Sequence, residues 1–140
     1  MIILDTNVIS AVMQRRPPSS VLAWLDVQAP EAIWITSITL FEARFGLVAM
    51  DDGRRKSGLQ EAFEVLVEQD LEHRVAVFDA SAADRAAGLA AERKQKGRPV
   101  DIRDTFIAGI ALARGASIAT RNVRHFDDLA VPVINPWAFI

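Results

Sequence analysis

Three carboxylates stand at positions in this sequence where acids can do chemistry together. Asp5 ends the apolar run Ile2-Ile3-Leu4, Glu42 lies three residues after Thr39 at the head of an apolar-rich stretch, and Asp104 lies three after Asp101 at the head of another. A fourth position, Asn122, follows the run Ser117-Ile118-Ala119-Thr120. Loops and helix N-termini converge outside the carboxyl ends of the strands in an open parallel sheet, so these side chains meet if the first, second and fourth strands are neighbours. Carboxylates gathered in this way repel, and burial raises their pKa values, so the cluster needs protons or a cation. A hard divalent ion, Mg2+ or Mn2+, suits oxygen donors and keeps waters of its own. Such an ion turns a water into a nucleophile near neutral pH and offsets the charge of a pentavalent phosphate, which is the chemistry of phosphodiester hydrolysis.

Capping accounts for the same residues. Glu42 and Asp104 each hold the third position of a capping pattern, where an acid favours the helix dipole by about 0.3 to 1 kcal/mol. Asp5, followed by Thr6-Asn7, suits a turn or an N-cap. Spacing alone leaves metal binding and capping level. Other catalytic chemistries have less support: there is no cysteine, no Walker glycine loop and no Ser-His-Asp pattern. A phosphatase using Asp5 as nucleophile wants a second acid two residues on, and Asn7 stands there. His73 and His125 show no carboxylate-histidine spacing and suit surface or hydrogen-bonding roles.

The elements that must position the acids are legible as periodicity. Short apolar, β-rich runs recur at Ile2-Ile3-Leu4, Ile33-Trp34-Ile35, Val75-Ala76-Val77-Phe78, Ser117 to Thr120 and Val131-Pro132-Val133-Ile134, with helical patterns between the first four. This alternation predicts an α/β fold whose central, mostly parallel sheet is flanked by helices, with Pro132 sending the last run to an edge. Ser19-Ser20 predicts a cap for Val21 to Val27, Thr39-x-x-Glu42 a helix through Met50, Ser81-x-x-Asp84 one to about Lys96, and Asp101-x-x-Asp104 one to Arg114. Gly97 and Gly115 stand where C-terminal caps belong, and Asp51-Asp52-Gly53 breaks the central region before helical spacing resumes over Leu59 to Glu68.

A chain of 140 residues, 51% of them hydrophobic, makes one domain with a real core and no second. The lack of cysteine leaves oxygen and two histidines as metal donors and fits a reducing compartment. An acid at position 5 and no apolar h-region argue against a cleaved signal, and Phe106 to Ala113 falls far short of the roughly 20 residues that span a bilayer. A cytoplasmic location with no membrane partner is the expectation. Net charge is -2, so the overall field does not draw a polyanion. The basic groups Arg15-Arg16, Arg54-Arg55-Lys56, Arg93-Lys94 with Lys96 and Arg98, and Arg121 with Arg124 each read as solvated helix ends or loops. Trp24, Trp34 and Trp137 lie in apolar settings suited to core or interface. Phe41, Phe45 and Leu47 to Met50 carry more apolar surface than one core stripe needs, and suit either core packing or a partner groove.

Five segments together resemble the PIN-domain nucleases, in particular the VapC-type and FitB-like toxins of bacterial toxin-antitoxin pairs. They are Met-Ile-Ile-Leu-Asp-Thr-Asn-Val-Ile-Ser at 1–10, Ser-Ile-Thr-Leu-Phe-Glu-Ala-Arg-Phe-Gly at 37–46, Asp-Thr-Phe-Ile-Ala-Gly at 104–109, Ala-Thr-Arg-Asn-Val-Arg-His-Phe at 119–126 and Asn-Pro-Trp at 135–137. The resemblance implies a single PIN-like three-layer domain over 1–140 and an Mg2+- or Mn2+-dependent endoribonuclease. It implies that Asp5, Glu42 and Asp104 are the catalytic metal ligands, with assistance from Asn122 and Asp101, and that Thr6, Asn7, Ser37 and Thr120 orient ligands or water. Asn122 replaces an acid that many relatives carry, which favours one ion over two. Arg44, Arg103, Arg121 and Arg124 become candidates for RNA phosphate contacts. The implied partners are RNA, a cognate antitoxin whose arm lies in a groove of the toxin, a second copy of the chain, and a larger assembly on DNA through the antitoxin. The alternative is a PIN-like protein that binds RNA or a partner with weak or no nuclease activity.

Overall fold

The computed structural model describes residues 1–140. Five short strands, β1 (Ile2–Leu4), β2 (Ile33–Thr36), β3 (Val75–Ala76), β4 (Ser117–Ala119) and β5 (Val133–Ile134), form one sheet in the order β3-β2-β1-β4-β5. Every pairing is parallel, with Ile2 opposite both Ile33 and Ser117. β1 therefore lies between β2 and β4, as the meeting of the acids requires. The strand order reverses there, so the cleft above β1 and β4 is the switch point of the sheet. β5, preceded by Pro132, is an edge, as the proline predicts.

Six helices cover the sheet: α1 (Thr6–Val12), α2 (Ser19–Asp26), α3 (Ser37–Val48), α4 (Arg54–Val65), α5 (Ala80–Gln95) and α6 (Ile102–Arg114). Successive strand residues face opposite sides, and both sides are apolar. Ile3, Ala76 and Ile118 pack with Ala82, Leu89, Ile107, Ile110 and Phe126. Leu4, Ile33, Ile35 and Ala119 pack with Val8, Ile9, Val21, Trp24, Phe63 and Val67. Helix, sheet and helix thus form three layers, and no helix is long and apolar enough to cross a membrane.

Several local expectations change. The third run pairs only over Val75–Ala76, because the Phe78 N–H turns away to donate to Ser37 Oγ at 3.2 Å. Asp5 keeps the N-cap role that was one of its two readings, and α1 begins directly after it. α3 begins two residues before Thr39: Thr36 is its N-cap and accepts from the Thr39 N–H at 3.1 Å. Glu42 is therefore in the second turn and has no capping role. α5 is capped by Asp79 and not by Ser81, while α6 is capped by Asp101 as predicted. α2 starts at Ser19 after Pro18 with no side-chain cap, and helix α4 continues from Arg54 into a wider turn over Leu66–Asp70. Gly115 ends α6 with φ +61, the left-handed turn that glycine adopts at least cost.

Candidate active site

Asp5 leaves β1 with its N–H still donating to the Ala119 carbonyl at 2.9 Å, which holds it over the gap between β1 and β4. It is 5% exposed. Its Oδ1 accepts from the Thr6 N–H at 2.8 Å, and its Oδ2 accepts from the Thr120 hydroxyl at 2.8 Å and from Asn7 Nδ2 at 3.4 Å. Thr120, fully buried at the end of β4, also accepts from Asn7 Nδ2 and from the Asn122 N–H. Asn7 Oδ1 accepts from the Arg121 N–H at 3.3 Å, closing a net between the start of α1 and the loop after β4. Asp5 is thus an N-cap and a held carboxylate at once. Burial pushes its pKa above the ordinary 3.8, and the nearby Asp104 charge adds to this, against the lowering by Thr120, Thr6 and His125.

Glu42 points from α3 toward the same opening. Its Oε1 accepts from the Thr6 hydroxyl at 2.9 Å, and Arg103 Nη1 lies 3.4 Å from its Oε2. The Thr6 hydroxyl has one proton and gives it to the carboxylate, so Thr39, 3.1 Å away, donates to Thr6, and the buried Thr36 donates to Thr39. A relay of three hydroxyls therefore leads from the cap of α3 to Glu42. Asp104 stands in the first turn of α6, where its N–H donates to Asp101 Oδ1 at 3.0 Å. Its Oδ2 lies 2.7 Å from His125 Nδ1, and because a carboxylate accepts, the imidazole donates. Burial raises the Asp104 pKa, helped by the charges of Asp101 and Glu42 and opposed by His125.

Asp5, Glu42 and Asp104 line one open cleft of about 530 Å³, together with Thr6, Asn7, Arg121, Asn122 and Trp137. No three acid or histidine side chains close into a ready cage. The oxygens instead surround an opening. This donor set fits a hard cation that keeps several waters, since Mg2+ is commonly held by one or two carboxylates, and the raised carboxylates mark charge that a cation would offset.

The remaining candidates are less uniform. Ser37 accepts from Phe78 and anchors β3 to α3, so it does not touch the acids. Arg44 pairs with Glu64 at 2.6 Å, lies over the Phe63 ring and lines neither cleft beside the acids, which removes it from the phosphate-facing group. Arg121 lies over the Trp137 ring in the cleft wall, while Arg124 lines an adjoining polar recess with Asp104 and His125. Asn122 is among the residues that line the cleft. A larger groove of about 1040 Å³ runs between α1, α3 and α4, floored by Ile9, Met13, Ala43 and Leu47 and edged by Arg15, Arg54 and Arg55. It shares Thr6 and Glu42 with the acid cleft. Phe41, Phe45 and Val48 stay outside it, exposed on α3.

Two connections of this region escaped the sequence reading: His125 has the hydrogen-bonding role expected of it, but with a partner that was not foreseen. His125 sits 21 residues from Asp104, too far for any local spacing to join them. Arg93, grouped with solvated cations, is buried. Its signal was periodic: Ala82, Ala86, Leu89 and Arg93 form the inward stripe of α5, and a cation on an apolar stripe needs a buried partner.

The PIN domain family matches residues 2–132 of the chain. The VapC ribonuclease Y4jK of Sinorhizobium fredii is 41% identical over 98% of both chains. Toxin FitB of Neisseria gonorrhoeae is 34% identical over 98% of this chain and 99% of its own. The crystal structure of FitAcB from Neisseria gonorrhoeae superposes with a TM-score of 0.91 at 33% identity, covering 99% of this chain and 100% of that one. DNA-bound VapBC from Salmonella typhimurium gives 0.78 at 28% identity, covering 96% and 97%.

Proposed function

Because the chain belongs to the PIN-domain family, that of the VapC and FitB toxins, we propose that it is a metal-dependent endoribonuclease and the toxin of a toxin-antitoxin pair. The observation that carries this is the convergence of Asp5, Glu42 and Asp104 on one cleft at the switch point of the sheet. In this reading Asp5 and Asp104, with Glu42, hold one Mg2+ or Mn2+. When bound, the ion supplies an activated water and offsets charge on the phosphate. The chain's own residues do the rest. Thr120, Thr6 and Asn7 fix the orientation of Asp5, the threonine relay fixes Glu42, and His125 fixes Asp104. Arg121 and Arg124 flank the acids and meet the RNA backbone. Asn122 adds a neutral amide where a fourth charge would favour a second ion.

The groove between α1, α3 and α4 receives the antitoxin, whose complex with the toxin dimer binds DNA, and the pair works in the cytoplasm. The antitoxin partner and the DNA-bound assembly are supported by the toxin naming of the relatives and by the VapBC neighbour bound to DNA. The test is cleavage of RNA by the purified chain. Expected is activity that requires Mg2+ or Mn2+ and vanishes in Asp5→Asn and in Asp104→Asn. Cleavage that survives both substitutions, or ignores chelator, overturns the site. Asn122 favours a second reading, RNA binding without cleavage, which metal-independent binding with no products would support.

A further inference from the structure

Arg93 is 3% exposed, yet carries a full charge. Its guanidinium donates twice to Asp128, Nε to Oδ2 at 2.9 Å and Nη2 to Oδ1 at 2.8 Å, and Nη2 donates also to the His125 carbonyl at 2.8 Å. Burying such a group carries a desolvation penalty, and a well-packed apolar pair often serves stability as well or better. Core packing does not require it here either, because Phe126, fully buried next to His125, already anchors this loop. What the guanidinium adds is direction. A planar fork with three bonds sets where the His125 backbone lies, and the ring of that residue holds Asp104.

The constraint closes on itself. Asp104 is on α6, His125 is on the loop, and Arg93 is on α5, which packs so closely on α6 that a Cβ at Gly109 would lie 2.7 Å from Ala86 Cβ. Arg98 reinforces the loop by pairing with Asp127 at 2.8 Å and donating to the Arg124 carbonyl. We propose that Arg93 is a positioning residue for Asp104: through Asp128 and the His125 carbonyl it holds the loop so that the imidazole fixes the Asp104 carboxylate in the cleft. This rests on the metal-site reading for its consequence in affinity, but not for the geometry it predicts.

Two measurements on the purified full chain test it. In metal-free protein, the nitrogen-15 spectrum of the His125 ring reports the Nδ1–H bond to Asp104, with Asp104→Ala, which leaves no acceptor, as the reference for its loss. Mn2+ titration followed by electron paramagnetic resonance reports affinity. The variant Arg93→Met/Asp128→Leu removes the pair while filling its volume. Expected is a folded protein whose His125 signal moves to the Asp104→Ala position and whose Mn2+ affinity falls roughly tenfold to a hundredfold, the usual effect of losing a group that orients a ligand. A folded double variant with the wild-type His125 signal and wild-type affinity overturns the proposal. If the double variant does not fold, Arg93→Lys, which keeps the charge but not the fork, is read by the same two measurements and the same outcomes. Wild-type protein that binds no Mn2+ sinks the metal reading alone, and the His125 signal still decides the role of Arg93.

Discussion

Asp5 carries its charge where burial resists it, and the consequence is measurable without substrate. Its folded pKa lies above 3.8, so the native state holds the proton more tightly than the unfolded chain does. Stability from this group is greatest below the unfolded value and is lost as pH rises through the folded one. Asp5→Asn keeps an oxygen for the Thr6 N–H and removes the charge, but turns an amide donor toward Thr120 and Asn7, so the expected signature is the pH trend: measured in chelator, its melting temperature gains on that of wild type as pH rises from acid to neutral. Added Mg2+ is expected to stabilise wild type and not the variant. Asp104 is raised too, so Mn2+ affinity should start to weaken, as pH falls, above the usual carboxylate range, which a titration series from pH 8 to 5 would display. Asp128 has the opposite sign. The hydrogen bond from Arg93 holds it below 3.8, so it contributes stability above the unfolded value that is lost as pH falls through the folded one. Asp128→Asn should therefore flatten the acid limb of a stability-against-pH curve.

At the scale of elements, the acids are where they are because strands end and helices begin there. Asp101 and Thr36 cap α6 and α3 and set the phase of each helix, so that Asp104 falls in its first turn and Glu42 in its second, both toward β1. The separation of α5 from α6 matters as much, since these helices carry the two ends of the Arg93–His125–Asp104 connection. Gly109 permits their approach: an added Cβ would lie 2.6 Å from the Ala82 carbonyl oxygen, a backbone atom that cannot step aside cheaply. Gly109→Ala is expected to cost about 1 to 3 kcal/mol by overpacking, read as a lower denaturant midpoint at unchanged slope. Helical spacing made α5 and α6 readable. The capping motifs misplaced the starts of α3 and α5, because several Ser, Thr and Asp residues in succession can each cap and only packing selects among them.

For the whole molecule, a net charge of -2 means that binding to nucleic acid depends on a few placed cations instead of a general field. Arg121, stacked on Trp137 in the wall of the cleft, is the best placed of these. Binding of single-stranded RNA should weaken with salt, and Arg121→Gln should reduce the logarithmic slope by about 0.7, the share of one phosphate contact. Arg44→Gln should leave the slope unchanged, since that charge is spent on Glu64. A fluorescence-anisotropy salt series on Asp104→Asn protein, which is not expected to cut, would decide both.

The acidic site with its fold was legible in outline from sequence, because periodicity and the order of motifs are local properties. Short continuous apolar runs announced strands, longer patterns announced helices, and the ends of those elements located Asp5, Glu42 and Asp104. Whether Glu42 capped a helix or faced a cleft was not local. That depended on the register of α3, which its packing and the Thr36 cap decide together. The long-range partners were invisible for the same reason. His125 on Asp104, Arg93 under His125 and Arg44 on Glu64 join residues 20 to 32 positions apart. Only the folded chain brings such groups together, because a hydrogen bond depends on distance in space, and the sequence records distance along the backbone.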